Sequence, residues 1–175
     1  MRHYLFLGIV ILLTSCSSTK ITSNKDADYT GKINDVLVLF KSATEYKEFT
    51  MSCIDSLEMW FSGHNITTHV ETRFSTEEEE DKLFIQDKIR SIKPNIVLVV
   101  NTVGIREIWQ AFFIFPVKTG TYIEYNISAL DMSTAKRFWR CDLQVNRSDY
   151  GQIGKKEAGQ FARALVQQLE KDKLW

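Results

Sequence analysis

No phosphate-binding loop, nucleophile elbow or dinucleotide fingerprint occurs in this chain. Its eight glycines are scattered, and none falls into a P-loop, Gly-x-Ser-x-Gly or Gly-x-Gly-x-x-Gly pattern. Histidine is scarce. Of three, His3 sits in an apolar leader, which leaves His64 and His69 as imidazole bases or ligands. His69 and Glu71 share a face of an expected strand, but no third ligand follows at a recognisable spacing. Solvated polar residues are therefore a simpler reading than zinc. An excess of one charge is missing too, with Lys+Arg 22 against Asp+Glu 22. Without a basic excess to hold a phosphate backbone, nucleic acid is not an expected partner. No assembled triad or metal set is visible, so neither an enzyme nor a cofactor is expected.

Long hydrophobic runs are also lacking. Tyr4 to Leu13 is apolar with one glycine, about half of the ~20 residues needed to cross a bilayer as a helix. Preceded by Met1-Arg2-His3 and followed by small residues, it reads as a secretory signal. The closing Leu13-Thr14-Ser15-Cys16 resembles the lipobox of bacterial lipoproteins. That resemblance implies that Cys16 is acylated (palmitate among the chains) and becomes the mature N-terminus. With Ser17 in place of an aspartate, it implies an outer-membrane anchor facing the periplasm. Each acyl chain contributes ~0.8 kcal/mol per buried CH₂, and two or more anchor stably. The division expected is a signal at 1–15, a lipidated N-terminus with a flexible tether at 16–32, and one globular domain at 33–175. The tether reading rests on a polar stretch without apolar periodicity, which would span about 22 Å.

Cysteine is sparse. With Cys16 lipidated, Cys53 and Cys141 remain in a compartment where disulfides persist. They are read either as a bridge closing a long loop or as buried thiols packing as small hydrophobes.

The chain has 44% hydrophobic residues, enough for a globular core. Asp35 to Phe40 is a continuous apolar run, the pattern of a strand buried on both faces. Ser42 to Glu45 matches a capping box, opening an amphipathic helix over 44–62 with Tyr46, Phe49, Cys53, Leu57, Trp60 and Phe61 on one stripe. Its aromatic stripe is read as core, not as a ligand wall. Ile66 to Thr72 is a second strand. Ser75 to Glu78 is another capping box, opening a helix through Ile92. The acidic cluster Glu77 to Asp81 is read as complementing that helix dipole, not as a calcium site. Asn95 to Asn101 is a third buried strand. The β-α-β-α-β order argues for a parallel sheet with right-handed crossovers. Residues 107–117 are aromatic and β-prone, and Lys118 to Thr121 is a turn signal. From Tyr122 the alternation is strict, with Ile123, Tyr125, Ile127 and Ala129 on one face. After a turn at 131–135, Trp139, Cys141, Leu143 and Val145 alternate in the same way. Residues 153–171 form a last helix with Ala158, Phe161, Ala162, Leu165 and Leu169 inward. The fold class is therefore α/β mixed (α+β): β-α-β-α-β, an antiparallel meander and a C-terminal helix, with three helices on one mixed sheet.

The hairpin Asp131-Met-Ser-Thr-Ala-Lys-Arg-Phe-Trp-Arg140 resembles that of small periplasmic lipoprotein domains. These include relatives of the TolB amino-terminal domain, the curli-export lipoprotein and the lipoprotein activators of penicillin-binding proteins. The resemblance implies an envelope scaffold or partner-binding module. The candidate partner surface is the polar face of the alternating strands: Tyr122, Glu124, Asn126, Ser128, Arg140, Asp142, Gln144 and Asn146. An exposed tyrosine and arginine among polar groups suits an interface, and an ordinary solvated face has the same pattern. The expected partners are membrane lipid through Cys16 and an envelope protein, with a homo-oligomer left open. The competing reading is a small-ligand or cell-wall-glycan binder with a pocket near Trp109 and Phe113. A hydrolase is the remote third.

Overall fold

Two crossovers of opposite direction build the centre of the fold, described over residues 17–43, 46–74, 78–112, 115–147 and 154–175 of a computed structural model. Strand β2 (Asp35–Lys41) leads through helix α1 (Lys47–Gly63) to β3 (Thr67–Arg73), its parallel neighbour. The chain then returns through α2 (Glu78–Ile92) to β4 (Ile96–Phe112), which pairs parallel with β2 on its other side. Because parallel crossovers keep one hand, reversing the direction sends α1 and α2 to opposite faces of the sheet. Strand β2 is consequently buried on both. Val36, Val38 and Phe40 join the main core, while Leu37 and Leu39 pack with Val97, Ile85, Ile89 and Ile92 under α2.

Three antiparallel strands complete the sheet: β5 (Phe115–Asp131), β6 (Lys136–Arg147) and β1 (Ser17–Lys25), in the order β1-β6-β5-β4-β2-β3. Helix α3 (Lys155–Lys171) lies beside α1 on the main-core face. The expected inward residues Ile123, Tyr125, Ile127, Ala129, Trp139, Cys141, Leu143 and Val145 are all buried there, as are Phe161, Leu165 and Leu169. Full burial of each Leu or Ile contributes about 1.5–3 kcal/mol. The mixed α+β sheet with three helices is as the sequence implies. Among the described residues, no helix is long and apolar enough to cross a membrane.

Four expectations need correction or fall outside view. The stretch read as a flexible tether is ordered from its start, since Ser17–Lys25 pairs with β6 over its whole length. Only Ile21 reaches the core; backbone pairing holds the rest, which leaves no apolar period to read. The turn expected at Lys118 to Thr121 is instead inside β5. Residues 96–112 form one long strand that stays paired with β5 as far as Phe112 opposite Phe115. The register shifts there, with Ile108 opposite Gly120 and Trp109 opposite Lys118, and the Thr119 hydroxyl donates to the Ile108 carbonyl at 3.3 Å. The glycine marks a bulge, not a turn. Cys53 and Cys141 are free buried thiols, not a bridge. Cys53 rises from α1 to bond the Tyr125 side chain, whereas Cys141 sits on β6 beside Ile127. Finally, Cys16, the 44–45 part of the first capping box and the 75–77 part of the second lie outside the described residues.

Candidate functional site

The sheet's two faces are covered unequally. On the face shared with α2, that helix covers Leu37, Leu39, Val97 and Val99, which belong to β2 and β4. The same face of β5, β6 and β1 has no helix among the described residues. The register arranges its side chains in rows: Ser128, Arg140 and Asn24; Asn126, Asp142 and Thr22; Glu124, Gln144 and Lys20; Tyr122, Asn146 and Ser18. All eight residues of the sequence-derived partner face thus stand together. Strand β1 widens that face by Ser18, Lys20, Thr22 and Asn24. Sequence reasoning missed these four, because Ile21 alone of this strand packs on the core and leaves no alternation to read.

Neighbours on this face are matched. The Asn126 amide donates to the Asp142 carboxylate at 2.8 Å, and the Asn146 amide to the Ser18 hydroxyl at 3.3 Å. Arg106, from β4, lies 5.9 Å from the Tyr122 ring. Lys20 and Arg140 balance Glu124 and Asp142, so the face presents both signs in alternation and not one field. A groove of about 710 Å³ runs along it, lined by Lys20, Thr22, Val103, Glu124, Asp142 and Gln144. A second groove, about 550 Å³, lies at the β5–β6 turn near Tyr29, Asn95 and Met132. Neither touches Trp109, so the pocket expected there is replaced by an exposed position; Phe113 lies outside the described residues.

The residues weighed for chemistry are engaged elsewhere. His64 Nδ1 is 2.8 Å from the Trp60 carbonyl and Nε2 2.8 Å from Glu170. The Trp60 carbonyl and then Glu170 raise its pKa. His69 lies 3.6 Å from Asp35, while Glu71 pairs with Lys88 of α2. His69 and Glu71 are thus engaged with separate partners, and no group of three potential metal ligands occurs among the described residues. Burial pushes the Cys53 thiol well up despite its Tyr125 bond. Burial, with Asp142 and Asp172 nearby, pushes Cys141 to about 12. Such thiols stay protonated and inert.

Opposite the projecting β4–β5 hairpin, the sheet closes on Asp172, just after α3. Its carboxylate accepts from Ser23 Oγ at 2.6 Å, Trp139 Nε1 at 2.7 Å and Gln168 Nε2 at 3.1 Å. Lys25 Nζ reaches the Asp172 carbonyl at 3.1 Å. Burial raises the carboxyl pKa, but the three donors together hold it below the usual range. Tyr29 stacks on Phe138 at 3.6 Å beside this closure. The neighbouring turn is fixed by Asp131, which accepts from the Ser133 amide and hydroxyl at 2.7 and 2.6 Å.

No protein-family model and no curated protein matches the chain. Its fold is similar to that of solved structures. A PelC dodecamer from Paraburkholderia phytofirmans superposes with a TM-score of 0.52 at 8% identity, over 85% of this chain and 96% of that one. A single-substitution variant of the same dodecamer gives 0.51, with the same identity and coverage. A minor lipoprotein from Acinetobacter baumannii gives 0.39 at 11% identity, over 79% and 94%, too low for an argument.

Proposed function

We propose that this chain is a lipid-anchored protein of the bacterial envelope whose domain acts as a protein-binding or scaffold module without catalysis. The observation that carries the reading is the uncovered polar face of β1, β6 and β5. A sheet face with both hydrogen-bonding side chains and alternating charges offers the mixed chemistry of a non-obligate interface. The lipobox resemblance of Leu13 to Cys16 supplies the address: the periplasmic side of the outer membrane, through acylated Cys16. Self-assembly is the partner choice that the PelC fold similarity favours, since those structures are dodecamers. Strand β1 also stands at the sheet edge, with its outer side unpaired among the described residues.

In-cell crosslinking of the tagged full-length protein, read by mass spectrometry, tests this. The proposal expects a reproducible envelope partner that is lost when Arg140→Glu and Asp142→Lys reverse the charges of the face. Adducts unaffected by the reversal would count against the face. Acyl labelling tests the anchor, and it should vanish in Cys16→Ala. The groove along the face, with Lys20, Glu124, Asp142 and Gln144, supports a second reading, a polar ligand such as a cell-wall glycan. A melting shift with glycan fragments alone would favour that one.

A further inference from the structure

We infer that the β4–β5 ribbon, at Ile108, Trp109 and Phe115, is a second membrane contact, seated at the head-group level of the same bilayer that the acylated Cys16 enters. The inference rests on the anchor reading above and adds to it a place where the domain itself meets lipid.

Register carries the geometry. Ser17 pairs with Arg147, Arg147 with Thr121, and Thr121 with Glu107. These four residues define one level across the sheet. Strand β1 begins at that level, one residue after Cys16 in sequence, so no tether separates lipid from fold. Strands β4 and β5 do not stop there. They continue past it as a two-stranded ribbon, pairing as far as Phe112 and Phe115. The chain thus enters the sheet at the end from which the ribbon projects. At ~4.8 Å per strand, Ser17 is roughly 14 Å from the ribbon base, and five residues from Glu107 to Phe112 carry the tip about 17 Å further. A leaflet's hydrocarbon is ~15 Å deep, so a tilted ribbon is long enough to dip its end into the interface.

The chemistry fits that level. Residues 108–117 include no charged side chain. Ile108, Trp109 and Phe115 are 40%, 55% and 67% exposed. Nothing among the described residues covers them. Tryptophan and phenylalanine are side chains of the membrane interface. Charge returns with Lys118, opposite Trp109 in the register, and at the base, where Arg106 and Glu107 are exposed. The ribbon's outer backbone groups remain unpaired, which hydrocarbon would penalise by several kcal/mol each; the contact is therefore interfacial and shallow. At the other end of the sheet the surface is polar, with Lys25 and Lys32 bonded to the chain near Asp172 and Trp175. Of the two ends of the sheet, the ribbon end is the one that presents exposed apolar side chains, Ile108, Trp109 and Phe115.

The remaining tryptophans make the test selective. Trp139 and Trp175 belong to the Asp172 end, and Trp60 stacks near His64, which bonds Glu170. The acylated full-length protein is reconstituted into vesicles of phosphatidylethanolamine and phosphatidylglycerol whose acyl chains carry bromine. The expected result is quenching of tryptophan emission that falls to near nil in Trp109→Tyr, with flotation unchanged. Vesicle-bound protein without quenching, or with the same quenching in Trp109→Tyr, would overturn the inference and leave the anchor standing. Crosslinks from position 109 to a second copy, without quenching, would overturn it in favour of self-docking. Failure of the acylated protein to float would overturn the anchor reading and the inference together.

Discussion

At one end of the sheet Ser23, Trp139 and Gln168 converge on Asp172, and Tyr29 stacks on Phe138. At the other, Ile108, Trp109 and Phe115 face outward from a ribbon with no third strand and no helix against it among the described residues. The same hairpin, β4–β5, runs through both. What differs is the company it keeps. Where β2 and β6 flank it, its inward side chains are buried under α1 and α3; β2 stops at the level of Asn101 and β6 at that of Thr121. The difference separates two jobs. The closed end ties β1, β6 and α3 into one cooperative unit, and the open end contributes surface instead of stability.

Substitutions at the two ends should therefore differ in size and kind. The largest effect is expected from Trp139→Ala. It empties a 1% exposed core position and should cost about 3–5 kcal/mol, lowering the melting temperature by roughly 10 °C or more. Asp172→Ala should come next. It leaves the buried Trp139 N–H without its acceptor, at about 1–3 kcal/mol, measured by urea unfolding at neutral pH. Its sign with pH follows from the lowered carboxyl. The contribution is fully present above the unfolded carboxylate pKa near ~3.9 and is lost as pH falls through the folded value. The wild type should thus lose part of its advantage over Asp172→Ala in acid. An undiminished gap would argue that the closure does not depend on charge. Trp109→Ser with Phe115→Ser, at the open end, should stay within about 0.5 kcal/mol of wild type. A large loss there would erase the contrast. The smallest effect is a reducing agent, which should leave the melting temperature unchanged. A Cys53–Cys141 bridge would instead remove about 4 kcal/mol on reduction.

Much of this architecture is legible in the chain, for a physical reason. Side-chain periodicity survives wherever a helix or neighbouring sheet imposes a dry face. The continuous run Val36 to Phe40 reports two such faces, and the alternations Ile123 to Ala129 and Trp139 to Val145 report one. The polar rows opposite them follow from the same period, so the face proposed for a partner is legible as well. Its extent is not. Strand β1 offers a single apolar residue, Ile21, because an edge strand over half a helix layer needs little more than backbone pairing. Lys118 to Thr121 misleads because glycine serves a turn and a bulge equally, and only the length of the strand on either side separates them. Asp172 carries no local pattern at all. Its role depends on Ser23 and Trp139, which reach it from distant parts of the chain.

Whether β1 is a strand or a tether decides how closely the proposed anchor would hold the domain, and amide hydrogen exchange on the full-length protein measures it directly. The account predicts that alternate amides over Ser17–Lys25, those bonded to β6, exchange as slowly as their β6 partners. Uniform exchange at unstructured rates through this segment would contradict it, returning the flexible tether that the polar sequence of this stretch suggests.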